Sequence, residues 1–289
     1  MEENVKTIEQ REQVEDSACG CGSGGCGCHD EGHGHAHHHE HEHEEAHSCG
    51  CGSGGCGSHS HSHSQANLPV RFQILRNGDR VVELGSGTGN DTLAAAQVVG
   101  ETGKVVGIDI SEKNIQTARN YSDQLRLNNV EFRHGNVEDV PLPKEYADIV
   151  FTNCVFNLQK DKQKMADEMY RLCHHNGLAC VTDFVIMHDI PDGLRLEGAQ
   201  LAGCIGGAEK INDFMDYFRR TGFEHVEIVE MKKVHLPDDV FRNHLSEEEM
   251  LEYKDVSSEK GIFNVTLIGE KPSTCSPDTC CCNPEKHKN

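Results

Sequence analysis

The chain contains the stretch Arg80-Val-Val-Glu-Leu-Gly-Ser-Gly-Thr-Gly89, in which a short apolar run meets a loop of alternating glycines. An apolar run stopped by glycine is typical of a buried strand, and glycines let the backbone turn tightly and approach a ligand closely. The Ala-rich stretch Asp91 to Val99 predicts a helix, and the β-branched run Lys104 to Ile110 predicts a second strand. Asp109 lies near the end of that strand, where an acid can accept hydrogen bonds from a ribose diol. This order favours nucleotide-type binding over a loop that is glycine-rich for packing alone.

The glycine spacing narrows the class of ligand. Gly85, Gly87 and Gly89 form Gly-x-Gly-x-Gly rather than the Gly-x-Gly-x-x-Gly of dinucleotide sites. The loop also lacks the Gly-Lys-Ser/Thr that a nucleoside triphosphate requires. The pattern therefore favours an adenosine that carries no phosphate chain.

Strand-like and helix-like stretches continue to alternate along the chain. This alternation predicts βαβ units and an α/β fold with a mostly parallel sheet and helices on both faces. The late strand near 262–269 could be an antiparallel edge. The predicted elements are a helix from the N-cap Ser111 to about Leu127, strands at 130–133 and 147–152, a helix at 161–173 closed by Asn176-Gly177, a strand at 178–186, helices near 193–201 and 211–221, and strands near 225–229 and 262–269.

The composition divides the chain into three parts. Residues 1–66 hold seven cysteines, twelve histidines and the duplicated motif Cys-Gly-Cys-Gly-Ser-Gly-Gly-Cys-Gly, which begins at Cys19 and again at Cys49. They contain too few apolar residues for a core, so we predict a low-complexity, flexible arm. Residues 67–272 are long enough for one domain with a sizeable core, and residues 273–289 form a second cysteine-rich tail.

Charge and hydropathy exclude several classes of protein. The net charge of −21 with few clustered basic residues argues against nucleic-acid binding, and the mean hydropathy of −0.59 argues against a membrane protein. The start of the chain is polar and lacks an apolar signal core, and the 15 cysteines are odd in number. Reduced thiols in the cytoplasm are therefore expected.

The glycine loop, Val-Gly-Ile-Asp109 and the later His-Gly-Asn136 resemble the motif series of class I methyltransferases that use S-adenosylmethionine. The resemblance implies a Rossmann-like, mostly parallel seven-stranded sheet with an antiparallel edge strand. It implies that the glycine loop lines the methionine part of this cofactor, that Asp109 holds its ribose and that Asn136 contacts its adenine. The family often has Asp where this chain has Asn136. The implied cofactor residues are Glu83, Gly85, Ser86, Gly87, Gly89, Asp109, Ile110, Asn136, Val137 and Asn153.

Four cysteines lie inside the predicted domain, and a single free cysteine is more often a small buried residue than a ligand. Cys173 and Cys180 fit that structural interpretation. Cys154 follows the fourth strand, and Cys204 lies between glycines after the fifth, so both fall on the face where ligands bind in such sheets. Their surroundings resemble the Asn-Cys-Val-x-Asn-Leu and Cys-x-Gly-Gly-Ala segments of arsenite methyltransferases, over roughly Val81 to Pro272.

That resemblance implies methylation of thiolate-bound As(III), with Cys154 and Cys204 as catalytic arsenic ligands. Soft thiolates suit trivalent arsenic, and its lone pair can take a methyl group without a general base. Relatives carry a third thiolate in a longer segment before the glycine loop. Here the candidates are Cys49, Cys51 or Cys56, or the first copy of the motif at Cys19 to Cys28, and the second copy is favoured because it lies closer to the domain. The resemblance also implies a role in arsenic detoxification, a thiol reductant such as glutathione or a thioredoxin-like protein, and a monomer.

Two other hypotheses stay open. The same fold could methylate another small acceptor, such as a quinone ring or another metalloid. Alternatively, the chain could be a non-enzymatic metal- or metalloid-binding protein in which the arm captures the metal through its thiols.

Overall fold

A computed structural model describes residues 68–273; the predicted arm and the four cysteines of the predicted tail lie outside them. The strands are β1 (Arg80–Leu84), β2 (Lys104–Asp109), β3 (Val130–His134), β4 (Ala147–Asn153), β5 (Cys173–Ile186), β6 (Glu209–Lys210), β7 (Glu224–Lys233) and β8 (Ile262–Glu270). The helices are α1 (Val70–Gln73), α2 (Asn90–Val99), α3 (Glu112–Leu125), α4 (Lys162–Leu172), α5 (Asp192–Leu201), α6 (Ile211–Thr221), α7 (Asp238–Arg242) and α8 (Glu247–Lys254). Two 3-10 turns, Phe156–Leu158 and Gly203–Gly207, complete the set.

The strands form one sheet in the order β3-β2-β1-β4-β5-β8-β7, and the two-residue β6 pairs with β5. Strands β1 to β5 run parallel, whereas β8 is antiparallel to both of its neighbours. The predicted α/β fold is therefore confirmed. One detail is corrected: β8 is not itself the edge, because β7 pairs along its outer side and takes that position.

The core lies on both faces of the sheet because side chains alternate along each strand. Val82 and Leu84 pack with α4 and α6 on one face, while Val81 packs with α1 and α2 on the other. On the first face, the Phe156 ring meets those of Phe214 and Phe218 at centroid distances of 5.4 and 5.2 Å. This packing fixes the turn that follows Cys154.

The sheet order reverses between β1 and β4. In open α/β sheets this switch point opens a crevice at the carboxyl ends of the strands, where ligands bind. The glycine loop follows β1 and Cys154 follows β4. The topology therefore brings the two predicted site regions to one place.

One predicted boundary is wrong. Asn176-Gly177 does not close a helix, since α4 ends at Leu172 and β5 begins at Cys173. A Cβ on Gly177 would lie 2.8 Å from the Asp148 carbonyl oxygen, so the glycine allows two strand backbones to approach closely. Other predicted ends of the main elements agree within a few residues, and the Ser111 hydroxyl caps α3 as expected by accepting from Asn114 N.

Within residues 68–273, no helix combines the length and the apolar character needed to cross a membrane.

Candidate active site

The glycine loop turns back over the end of β2. The amides of Gly85 and Ser86 both donate to the Ile108 carbonyl, at 2.7 and 2.9 Å, and Gly87 N donates to Asp109 Oδ2 at 2.8 Å. Gly87 has φ +52, and a Cβ built on it would meet nothing within 4 Å. By contrast, a Cβ on Gly85 would lie 2.4 Å from a Val155 methyl group. The loop thus packs tightly at Gly85 and faces open space at Gly87.

Asp109 lies at the end of β2, as predicted. Its carboxylate accepts hydrogen bonds from Gly87 N, from Ser111 N at 2.8 Å and from Asn114 Nδ2 at 3.2 Å. A carboxylate offers about four lone-pair positions, so these three bonds fix the group and leave about one position for a ligand. Ile110 follows, with 70% of its surface exposed.

The other predicted cofactor residues differ in exposure. Asn136 is exposed, and its Oδ1 accepts from Glu138 N at 3.0 Å, while the Val137 side chain packs into the core. Asn153 is half-buried and donates to Asp91 Oδ2 at 3.0 Å. Ser86 is buried, and its Oγ has no hydrogen-bond partner among the described residues.

Glu83 occupies a different environment from the rest of this set. Its carboxyl is buried and accepts a short hydrogen bond from the Thr92 hydroxyl, which joins β1 to α2. Burial raises the pKa of Glu83 to about 8, although the Thr92 hydrogen bond acts in the opposite direction. Glu83 is therefore protonated near neutral pH and lies inside the packing between the strand and the helix.

The two predicted arsenic ligands come together. Cys154 Sγ, Cys204 Sγ and a carboxylate oxygen of Asp183 all lie within 4.8 Å of one another. Cys154 is half-buried and has φ +57, a conformation that costs an L-residue about 1–2 kcal/mol and is often found at functional sites. Its amide donates to the Thr182 carbonyl at 2.9 Å, which ties it to β5.

Cys204 lies in the turn Gly203–Gly207, which packs directly on the chain after Cys154. A Cβ on Gly207 would lie 2.1 Å from the Asn157 carbonyl oxygen, so only glycine permits this approach. Lys162 Nζ donates to the Gly207 carbonyl at 2.7 Å and pairs with Glu209 Oε1 at 2.8 Å. The turn is therefore anchored to α4 through a lysine whose side chain is only 7% exposed.

The two thiols shift each other's pKa in opposite directions. A hydrogen bond with the Cys204 thiol lowers the pKa of Cys154, while the same hydrogen bond and then burial raise the pKa of Cys204. Burial raises the pKa of Asp183 to about 6, against the hydrogen bonds that its carboxylate accepts. The Cys154 thiolate is thus favoured relative to that of an ordinary cysteine, whereas loss of the second proton, from Cys204, is disfavoured unless a thiophilic ligand binds both sulfurs.

Cys173 and Cys180 lie apart from this pair as free thiols in the core. Burial raises the pKa of each to about 12, which leaves both thiols protonated and unreactive. This agrees with the structural interpretation of both residues.

The sequence analysis missed Asp183 and Lys162. An acid inside the apolar run Leu178–Ile186 was a usable signal, because a buried carboxyl requires partners. Asp183 has them, since it accepts from Asn157 N at 2.9 Å, from Asn157 Nδ2 at 3.0 Å and from Phe184 N at 2.8 Å. Lys162 gave no comparable signal, because it opens an ordinary amphipathic helix.

Comparisons with known proteins identify relatives of this chain. A family model described as a methyltransferase domain matches residues 75–222, just over half of the chain. An arsenite methyltransferase of Halobacterium salinarum is 36% identical over 160 residues, which cover 55% of this chain and 41% of that protein. An arsenite methyltransferase of Aquipseudomonas alcaligenes is 33% identical over 180 residues, covering 60% of this chain and 52% of that protein.

Among solved structures, the fold resembles an arsenic(III) S-adenosylmethionine methyltransferase from Chlamydomonas reinhardtii. The TM-score is 0.56 at 25% sequence identity, and the match covers 72% of this chain and 71% of that chain. The chain spans about half the length of the curated relatives it matches.

Proposed function

The chain belongs to the methyltransferase-domain family, and from this membership we propose that it methylates trivalent arsenic held by Cys154 and Cys204, with S-adenosylmethionine as the methyl donor. The observation that carries the proposal is the convergence of the two thiols beside the switch point of the sheet. A methyltransferase for carbon or oxygen acceptors has no need of such a pair.

The residues around the glycine loop fit S-adenosylmethionine. Open space at Gly87 admits the cofactor, the buried Ser86 hydroxyl lacks a partner, and Asp109 keeps about one acceptor position for a ribose hydroxyl. The exposed Ile110 offers an apolar surface for the adenine ring, and the exposed Asn136 side chain can contact the adenine amine. When bound, the cofactor supplies a methyl group on a positively charged sulfur.

The cysteine pair does the work of substrate binding. Arsenite carries three hydroxyl groups on arsenic, and each thiol displaces one of them as water, so the thiol proton leaves with the hydroxyl. The two sulfurs then hold arsenic with its lone pair free for methylation, and no general base is required. The backbone contacts of Cys154 and the anchored turn at Cys204 hold the two cysteines side by side before arsenic arrives, which lowers the entropic cost of orienting it.

A third sulfur completes the usual coordination of As(III). We propose that it comes from Cys49, Cys51 or Cys56, which lie outside the described residues, or from a thiol reductant such as glutathione or a thioredoxin-like protein. We further propose that the chain works as a monomer in the cytoplasm and serves arsenic detoxification. The four described cysteines are all free, as such a reducing compartment requires.

The test is a methylation assay with purified full-length protein, arsenite, a thiol and S-adenosylmethionine. Methylated arsenic is separated by chromatography and quantified by elemental mass detection. We expect Cys154→Ser and Cys204→Ser to abolish the product, because a hydroxyl is a poor ligand for soft arsenic. Cys180→Ala is the matched control: its thiol lies in the core, so the variant should keep the activity.

Two results would contradict the proposal. Activity on a quinone or another small acceptor that survives both cysteine substitutions would assign the fold to a different substrate. A protein that binds arsenite through its thiols but does not bind S-adenosylmethionine would be a metalloid-binding protein without methyltransferase activity.

A further inference from the structure

The arsenic site proposed above uses two thiols, and the carboxylate of Asp183 belongs to the same cluster. Cys154 follows β4, Asp183 lies on β5, and Cys204 lies in the turn Gly203–Gly207, so three separate segments supply the three ligand atoms. We propose that these three residues form a binding site for a thiophilic divalent cation of the zinc type. Because zinc takes both thiolates, it excludes arsenite while it is bound.

The chemistry of the third ligand distinguishes zinc from arsenic. Trivalent arsenic seeks sulfur, and a hard carboxylate oxygen adds little to its binding. Zinc is borderline in softness and accepts cysteine sulfur together with aspartate oxygen. A Cys-Asp-Cys set with water in the fourth position is therefore a complete ligand set for zinc, whereas arsenic would use only the two sulfurs. The half-buried Cys154 leaves the site open to that water.

Asp183 is held in the orientation that a metal ligand needs. Asn157 donates to it from its backbone and its side chain, and Phe184 N donates as well. These bonds occupy about three of the four lone-pair positions of the carboxylate. One oxygen of the same carboxylate lies within 4.8 Å of both cysteine sulfurs, so the remaining position is within reach of the pair. Such outer hydrogen bonds typically fix metal-binding carboxylates.

The distances are close to those of a bound cation. With Zn–S near 2.3 Å and Zn–O near 2.0 Å, tetrahedral ligand atoms lie about 3.5–3.8 Å apart. The three ligand atoms lie within 4.8 Å of one another without a metal. Rotation of the cysteine side chains would shorten these separations by about 1 Å when zinc binds. Each thiol releases its proton to solvent when the metal–sulfur bond forms. Nearby Arg71 and Lys162 offset part of the negative charge that Asp91 and Asp183 bring to the thiols.

The test measures how far zinc protects the Cys154 thiol from alkylation by iodoacetamide. The alkylated fraction is read by mass spectrometry of the peptide that contains Cys154. Free zinc is fixed by a chelator buffer, so the cysteines and histidines of residues 1–66 cannot deplete it. We expect zinc to protect Cys154 and magnesium, a hard cation, not to protect it. Asp183→Asn should raise the free zinc needed for half protection by about tenfold or more. Asp91→Asn is the control, because Asp91 raises the pKa of Cys154 but lies outside the cluster. The free zinc needed for half protection should stay close to that of the unmodified protein.

Unchanged alkylation at saturating free zinc would overturn the site, and so would an equal midpoint in a folded Asp183→Asn variant. If that variant fails to fold by circular dichroism, Cys204→Ala decides the question, since protection that persists without the second thiol contradicts a shared metal. The titration contains neither arsenite nor S-adenosylmethionine. Its failure is therefore distinct from a failure of the proposed methyltransferase activity.

Discussion

Replacing Glu83 with glutamine should change how the stability of the fold depends on pH. Burial raises the pKa of this carboxyl to about 8, against 4.5 for an unperturbed glutamate. Between these values the folded protein keeps a proton that the unfolded chain loses, so the free energy of unfolding falls as pH rises. At about 1.4 kcal/mol per pKa unit, the loss is about 3 kcal/mol by pH 7 and about 4 kcal/mol by pH 8, where the folded carboxyl is itself half ionised. Glu83→Gln is neutral throughout and should escape this loss.

The assay is urea unfolding of the original and variant proteins at several pH values between about 5 and 8. Subtracting the two curves cancels every other titration, including that of Asp183. The variant should gain stability over the original protein as pH rises. Thr92→Val is the matched control: it keeps Glu83 but removes a hydroxyl that lowers its pKa, so its pH dependence should be at least as steep. If the free energy of unfolding depended on pH in the same way in Glu83→Gln and in the original protein, the conclusion that Glu83 is buried and protonated would be refuted.

Two further predictions concern the glycine loop and the cysteine turn. Gly89 has φ +92, and a Cβ there would lie 2.7 Å from the Phe132 ring, so Gly89→Ala should lower the free energy of unfolding by about 1–3 kcal/mol. Gly87→Ala should instead mainly weaken S-adenosylmethionine binding. Urea unfolding and calorimetric titration separate the two effects. Lys162→Met removes the anchor of the turn that carries Cys204, so KM for arsenite should rise by about tenfold or more while the affinity for S-adenosylmethionine stays unchanged. A Lys162 variant that loses both equally would indicate a general loss of folding instead.

Local patterns in the sequence predicted the region around the glycine loop well. A short apolar run that ends in glycine predicted β1 with the bounds that it has, and the spacing to Asp109 predicted the acid at the end of β2. Cys154 and Cys204 could be placed together because loops at the carboxyl ends of neighbouring parallel strands converge. Each of these inferences depends on contacts that the βαβ topology fixes.

The errors arose where distant segments decide the structure. Gly177 is required by close approach to β4 rather than by a helix end, and no local pattern distinguishes these cases. Strand β8 is buried on both faces, as an interior strand requires, but the sequence conceals this because Asn264, Thr266 and Glu270 share one face. The Asp183 carboxyl is positioned largely by hydrogen bonds from Asn157, which lies 26 residues away in the sequence. Helix α8 was readable from its capping box, Ser246 with Glu249, and was overlooked.

Arsenic methylation by this protein is tested by quantifying S-adenosylhomocysteine and methylated arsenic in parallel, in a single reaction of the full-length protein. The account predicts that S-adenosylhomocysteine forms only when arsenite is present, in a one-to-one ratio with transferred methyl groups, and that both products vanish together in Cys204→Ser. Formation of S-adenosylhomocysteine without arsenite, or at full rate in Cys204→Ser, would show that the methyl group goes elsewhere and would contradict it.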